Sequence, residues 1–116
     1  MGISQRRVGE VTIIDLSGRF MSTEEPNRIK DKITSLVFGG HTRIVLNLAD
    51  VSYIDSSGLG ELVAGHLTAR RVGGVVKLAN ASARMRQILE LTKLVTIFEM
   101  HASEAEAIDS FTGVAV

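Results

Sequence analysis

One stretch of the sequence changes from a strand pattern to a helix pattern: Asn47-Leu48-Ala49-Asp50-Val51-Ser52-Tyr53-Ile54-Asp55-Ser56-Ser57-Gly58-Leu59-Gly60. The apolar run at residues 44–48 is typical of a buried strand, and apolar residues recur at helical spacing over residues 59–67. Residues 55–58 are therefore the predicted turn between the two elements. A turn of this kind displays side chains at an edge of the sheet, where a partner or an enzyme can reach a serine.

Strand and helix patterns alternate outward from this stretch in both directions. We predict strands at residues 8–16, 43–48, 75–79 and 95–98, with the segment before Gly9 as a hairpin partner of the first. Helices fill the intervals, including one from about residue 58 to residue 71. Alternation of this kind implies parallel strand pairing through right-handed crossovers. The pattern predicts a small α/β domain.

Capping signals mark the predicted helix starts. Ser22, Ser82 and Ser103 each precede an apolar helical stripe, with Thr23 as an alternative cap for the first helix. Ser22 and Ser103 have a glutamate three residues later, which is the capping-box spacing. Pro26 suits a first helical turn, where its missing N–H costs nothing.

Composition limits the class of protein. The 116 residues suit one domain spanning residues 1–116, and the 13 basic and 13 acidic side chains cancel. No global field draws the chain to nucleic acid or to an anionic membrane, so neither is an expected partner. The chain has no cysteine, no secretory signal at its start and no apolar run of about 20 residues that could cross a bilayer. Cytoplasm is the expected location.

Familiar catalytic and metal motifs are missing. His41, His66 and His101 lack zinc-ligand spacing, so we interpret them as surface or helix histidines. The glycine pairs do not form a phosphate loop, and the serine turn is not the Gly-x-Ser-x-Gly of hydrolases. We therefore predict no catalytic residue, no metal site and no cofactor-binding residue.

The residues alone leave two interpretations of Asp55-Ser56-Ser57-Gly58. In the simpler one, a serine hydroxyl caps the following helix, the acid favours the positive helix end and glycine permits a tight turn. In the other, an exposed hydroxyl serves as a functional group. One cap does not need both serines.

A longer pattern surrounds this turn. Residues 44–60 closely resemble the signature of bacterial anti-sigma factor antagonists, the stand-alone STAS domains of sporulation and general-stress partner switching. Residues 16–20 and 75–94 resemble the family's entry strand and its later strand and helix, so the resemblance covers about residues 8–112. It implies a single STAS domain with its core in that range. The implied sheet is mixed and mostly parallel, with 4-5 strands and about four α-helices packed mainly on one face.

The resemblance also implies a function. In the family, the serine after the aspartate is phosphorylated, which points to Ser56, with Ser57 as the adjacent alternative. The unphosphorylated form binds an anti-sigma factor serine kinase and releases the sigma factor, and phosphorylation switches this binding off. A serine phosphatase resets the switch, and ATP belongs to the kinase. The implied protein is a monomer or weak dimer with no enzyme activity.

The expected docking surface is the turn, the start of the helix after it and an earlier loop. Its predicted residues are Asp55, Ser56, Ser57, Gly58, Gly60, Glu61, Met21, Ser22 and Thr23. Met21 stands where many relatives have an aspartate. The small residues Gly60, Ala64 and Gly65 allow either close approach of a partner or close packing within the domain. The alternative function is a non-phosphorylated scaffold or nucleotide-sensing subunit of a stressosome-like or lipid-transport complex.

Overall fold

The chain forms one sheet with helices on both faces, and a computed structural model describes residues 2–21 and 27–112. The strands are β1 (Gly2–Val8), β2 (Val11–Phe20), β3 (Arg43–Ile54), β4 (Val75–Ala79) and β5 (Glu99–His101). The helices are α1 (Arg28–Phe38), α2 (Ser56–Arg71), α3 (Ala83–Leu91) and α4 (Glu104–Thr112), with a 3₁₀ turn at Leu94–Thr96.

The strands lie in sequence order, β1-β2-β3-β4-β5. β1 and β2 form the expected antiparallel hairpin, and the other neighbours are parallel because a helix carries the chain back each time. This confirms the prediction of a mixed, mostly parallel sheet. β4 ends at Ala79 opposite Asn47, whereas β3 continues alongside β2 to Ile54. The end of β3 therefore projects beyond β4.

The two faces of the sheet are covered unequally. Helices α1, α2 and α3 bury the larger, aliphatic core on one face, through side chains such as Ile33, Leu62 and Leu89. The opposite face carries the smaller strip of Val11, Ile13, Val45 and Ala79, which α4 covers with Ala107. The prediction of helices mainly on one face is confirmed.

An ion pair at one end and contacts of a buried lysine at the other hold α4 over the smaller strip. Arg6 on β1 bridges Asp15 on β2, at 2.6 Å from Nε to Oδ2, and Glu104 at the start of α4. At the other end of α4, the buried Lys77 ammonium donates to the Ser110 hydroxyl at 2.6 Å and lies 4.2 Å from the Phe111 ring centroid. Polar contacts at both ends therefore position α4, which buries only a small apolar surface against the sheet.

Two of the predicted caps are confirmed. The hydroxyls of Ser82 and Ser103 each accept a hydrogen bond at 3.1 Å, from the N–H groups of Met85 and Glu106. The predicted cap at Ser22 or Thr23, with Glu25 and Pro26, falls outside the described residues.

Several predicted element boundaries are wrong. The strands predicted to end at residues 16 and 48 continue to Phe20 and Ile54. The expected strand at residues 95–98 is a 3₁₀ turn followed by buried Phe98, and the strand lies at Glu99–His101. Val95 and Ile97 stay exposed, so their β-branched pattern is not that of a buried strand. The helix expected from about Gly58 begins two residues earlier, at Ser56. Among the described residues, no helix is long and apolar enough to cross a membrane.

Candidate functional site at the start of helix α2

Asp55 joins β3 to α2 and is held by its neighbours on both sides. Its N–H donates to the Phe20 carbonyl of β2 at 3.1 Å, and its own carbonyl accepts from the Leu59 N–H at 3.0 Å. Its carboxylate accepts from the Gly58 N–H at 2.9 Å, which makes Asp55 the N-cap of α2. A negative charge at this position also opposes the positive end of the helix dipole.

Ser56 and Ser57 are the first two residues of α2, and both are exposed. Because the Asp55 carboxylate makes the cap, the interpretation that a serine hydroxyl caps this helix is wrong. Both hydroxyls lie at the surface with no structural hydrogen bond to another residue in the described part of the chain. The turn therefore presents two serines to solvent beside the capped start of α2.

Gly58 makes the tight entry into α2 possible. A Cβ atom at this position would lie 2.6 Å from the Ile54 side chain and 3.0 Å from the Phe20 carbonyl oxygen. Gly58 is buried, so its role in this structure is packing beneath the serines. Contact between Gly58 and a partner stays a prediction.

Glu61 has a structural contact that the sequence did not indicate. Its carboxylate accepts a hydrogen bond from the Ile29 N–H at 3.0 Å, in the first turn of α1. Asn27, the residue before α1, makes no side-chain cap, so α2 supplies an acceptor for the neighbouring helix. Capping across two helices depends on their packing and leaves no local sequence signal.

The small residues of α2 divide between two environments. A Cβ atom on Gly65 would lie 2.5 Å from Ile33 Cδ1 of α1, whereas one on Gly60 would have nothing within 4 Å. Gly65 therefore serves close packing of α1 on α2, and Gly60 lies open beside the serines. Ala64 is half-buried between these two environments.

Of the predicted docking residues Met21, Ser22 and Thr23, the structure describes only Met21. Met21 is half-buried and directly follows Phe20, whose carbonyl binds Asp55. This connection places Met21 on the same edge of the sheet as the serine turn. Ser22 and Thr23 lie outside the described residues, so their part in the docking surface stays a prediction.

His66 is a helix histidine, one of the two expected positions, and it faces the interior of the fold. It is 7% exposed, and its ring lies 4.9 Å from that of Phe98, centroid to centroid. Burial, with a smaller contribution from Arg70, lowers the pKa of His66 below its ordinary value. Within the described residues, no group of three or more histidines and acids is placed to hold a metal ion.

Comparison with known proteins places this geometry in a family. The profile of the STAS domain matches residues 3–107. The anti-sigma F factor antagonist of Lysinibacillus sphaericus is 32% identical over 106 residues, which are 90% of this chain and 89% of that protein. The anti-sigma-B factor antagonist of Bacillus subtilis is 36% identical over 75 residues, 64% of this chain and 67% of that protein.

Solved structures of anti-sigma factor antagonists have the same fold as this chain. The anti-sigma factor antagonist SpoIIAA in its unphosphorylated form matches with a TM-score of 0.73 at 30% identity, covering 97% of this chain and 99% of that one. The phosphorylated form of the Bacillus protein SpoIIAA matches with a TM-score of 0.72 at 29% identity, covering 95% and 99%. Since a family profile spans most of its length and full-length relatives share its fold, this chain belongs to the STAS domain family.

Proposed function

We propose that this protein is an anti-sigma factor antagonist whose unphosphorylated form binds an anti-sigma factor serine kinase and so releases the sigma factor. The observation that carries the proposal is that, at this turn, the helix cap and the exposed hydroxyls belong to different residues. Asp55 caps α2, and Ser56 and Ser57 are left exposed for recognition and modification. The names of the relatives, anti-sigma F and anti-sigma-B factor antagonist, support the same function.

Phosphorylation of Ser56 is the proposed off-switch. A phosphoserine adds a charge of about −1.5 to −2, here directly beside the Asp55 carboxylate. Like-charge repulsion and desolvation of the phosphate would then oppose docking of a partner. The phosphate would also lie at a helix N-terminus, which favours anions, so the domain can carry it without unfolding. Both the unphosphorylated and the phosphorylated form of SpoIIAA match this fold over 95% or more of the chain, which supports a phosphorylated form that keeps the fold.

The protein acts in this scheme as substrate and binding partner, not as an enzyme. The kinase binds and consumes ATP, so this chain needs no cofactor, and a separate serine phosphatase restores the binding form. The scheme operates in the cytoplasm, where sigma factors meet RNA polymerase.

The docking surface follows from the exposure of the predicted residues. Ser56, Ser57 and Gly60 offer exposed surface to a partner, next to the half-buried Asp55. Gly58 and Glu61 support this surface from below and from the side, through packing on Ile54 and the hydrogen bond to α1. The loop that begins at Met21 would complete the surface.

A phosphorylation assay tests the modified residue. The protein is incubated with ATP and with each purified histidine-kinase-like anti-sigma serine kinase of its own organism, then analysed by intact mass and site mapping. We expect addition of one phosphate that Ser56→Ala abolishes. Ser57→Ala is the matched control and should still be modified. Undiminished modification of Ser56→Ala would contradict the assignment.

A binding titration with the same kinase tests the switch. Phosphorylation at Ser56 should weaken the complex by about a hundredfold, which corresponds to roughly 2.7 kcal/mol. The thermal midpoint of the free domain should stay nearly unchanged. Equal affinity of the two forms would contradict the switch and favour the scaffold or nucleotide-sensing alternative.

A further inference from the structure

A belt of hydrogen bonds crosses the sheet from β1 to β5 at the level where β4 ends. Arg6 on β1 bonds to Asp15 on β2, which accepts at 2.8 Å from the side-chain amide of Asn47 on β3. The amide oxygen of Asn47 accepts from the side chain of Asn80, directly after β4, at 3.0 Å. The N–H of Asn80 donates to the His101 carbonyl of β5 at 3.2 Å. The side chain of Asn47 is therefore the middle link of this belt.

Asn47 also lies where the sheet changes shape. It is the last residue of β3 that pairs with β4, opposite Ala79. On its other side it pairs with Asp15 of β2, and the next pair along these two strands is Ser17 with Asp50. β3 therefore has one extra residue between these pairs, which is a β-bulge. A bulge bends the strand and changes the direction of the residues beyond it.

The Asn47 side chain holds the bulge itself. Its amide oxygen accepts a second hydrogen bond, from the Ala49 N–H at 3.2 Å, two residues further along the chain. A side chain that bonds to the main chain two residues on favours a turn-like conformation over a regular strand. The bond to Ala49 thus shapes the bulge, and the belt fixes the bulge relative to the other strands.

The strand pair beyond the bulge, here called the ribbon, carries the serine turn. It consists of residues 17–20 of β2 and 50–54 of β3, which continue together past the end of β4. At its end, the Asp55 N–H binds the Phe20 carbonyl, and Ser56 and Met21 follow on the two strands. Both parts of the docking surface therefore depend on the direction in which the ribbon leaves the sheet.

We propose that Asn47 is a positioning residue for the serine turn. It holds the bulge from which the ribbon leaves the sheet, and so sets how Ser56 and Met21 are presented to the anti-sigma factor kinase. This inference rests on the proposed function, because it names a residue on which recognition by the same kinase depends. The position requires an amide, since the side chain donates to a carboxylate and accepts from two N–H groups at once.

Hydrogen exchange of the free domain tests this role without a kinase. Asn47→Ala removes all three side-chain hydrogen bonds. We expect the Asp55 amide to exchange at least about tenfold faster relative to the Leu46 amide in the core of the same strand, since the ribbon opens locally. Equal acceleration at the two amides would mean a loss of global stability alone and would overturn the proposal.

Val37→Ala is the matched control for stability. Val37 is buried at the end of α1, where it packs beside Gly74 and not on the belt. Its truncation lowers global stability through lost packing. The ratio of exchange at Asp55 to exchange at Leu46 should stay as in the unmodified protein.

Phosphorylation kinetics test the effect on recognition, with the kinase identified by the phosphorylation assay. Asn47→Ala should raise KM by about fivefold or more and leave kcat within about twofold, because weaker docking with unchanged chemistry acts on KM. Val37→Ala, assayed at a temperature where both variants are folded, should keep the KM of the unmodified protein. Equal KM values in the two variants would contradict the positioning role.

A paired exchange tests the bond between Asn47 and Asp15. Asn47→Asp sets two carboxylates against each other and should raise KM as Asn47→Ala does. Adding Asp15→Asn restores one amide and one carboxylate in reversed positions. The double variant should have a KM at least about threefold below that of Asn47→Asp, since the two positions are coupled. No recovery would refute the role of this bond.

The two proposals fail in different ways. If the kinase neither binds nor phosphorylates the unmodified protein, the proposed function fails, and hydrogen exchange still decides whether Asn47 holds the ribbon. If the kinase phosphorylates the unmodified protein and Asn47→Ala with the same KM, only the positioning role is refuted.

Discussion

The Asp55 carboxylate accepts a hydrogen bond from the Gly58 N–H at 2.9 Å and so caps α2. The two serines between these residues are therefore not needed as the cap. A hydroxyl that caps a helix is held in a structural hydrogen bond, and its modification would have to replace that bond. Here the cap and the proposed modification site are adjacent but separate residues. The protein can therefore change charge at its surface while α2 stays anchored to the sheet.

Removal of the Asp55 carboxylate should destabilise the fold. Asp55→Ala loses the helix cap, and we expect the free energy of unfolding to fall by about 1 kcal/mol. Asp55→Asn keeps a capping oxygen and should lose less. Urea denaturation measures both, with Asp50→Ala as a control at an exposed acid of β3. Equal losses for Asp55→Ala and Asp50→Ala would contradict the capping role.

Alanine should have opposite effects at two glycines of α2. Gly60→Ala meets no atom within 4 Å, so the better helix propensity of alanine should stabilise the fold by up to about 1 kcal/mol. Gly65→Ala places a methyl group against Ile33 of α1 and should be destabilising relative to Gly60→Ala. Thermal denaturation compares the two variants. A higher midpoint for Gly65→Ala would contradict the packing role.

Arg6 should stabilise the fold in a pH-dependent manner through Asp15 on β2. Its hydrogen bonds hold the pKa of Asp15 below the ordinary value of 3.8. A carboxyl with a lowered folded pKa contributes stability above its unfolded pKa and loses it as the pH falls through the folded pKa. Arg6→Met should therefore destabilise the protein at neutral pH, by about 1 kcal/mol, and progressively less in acid below pH 3.8.

Hydrogen exchange across α4 locates this effect. Arg6→Met should speed exchange in α4 because the bond to Glu104 is lost. Arg7→Met removes the same charge from the neighbouring residue of β1 and should leave α4 unchanged. Similar exchange in the two variants would refute the role of Arg6.

His66 should make the fold less stable in mild acid. Burial lowers its folded pKa below the ordinary 6.5, so the unfolded chain binds a proton more readily than the folded chain. The stability contribution is complete above pH 6.5 and falls as the pH drops below it. The groups around the ring are Phe98 and, on the same helix, Arg70.

The variant His66→Gln should have a flatter stability profile across that pH range. Urea denaturation on either side of pH 6.5 measures the profile. His41→Gln, at a half-buried histidine of the α1–β3 loop, should keep the profile of the unmodified protein. An unchanged slope in His66→Gln would exclude this histidine as its source.

Local patterns predicted most of the α/β fold correctly. Alternating apolar runs located β2, β3 and β4, and serines at capping spacing located the starts of α3 and α4. These features depend on neighbours only a few residues away in the chain, so the sequence carries them directly. The family pattern around Asp55 and Ser56 is also a short run of consecutive residues, so it can be recognised in the sequence directly.

Prediction was wrong where distant contacts decide the conformation. The β-branched residues of the segment 95–98 favour a strand locally, yet Phe98 packs against His66 of α2 and strand pairing with β4 begins only at Glu99. The docking role of Glu61 stays a prediction, but no local pattern indicated that the packing of α1 on α2 makes its carboxylate an acceptor for the Ile29 N–H. In both cases the partner lies more than 20 positions away.

Short-range spacing in the chain is enough to predict the α/β order and the acid-serine-serine-glycine turn. The capping of α2 by Asp55, the inward packing of Gly65 beside an open Gly60, and the end of β3 without a strand beside it became visible in the folded domain. Hydrogen-bond acceptors, close packing and free edges depend on which elements meet in space, and residues far apart in the chain supply them. The exposed serines and the unpaired edge beside them are products of that assembly.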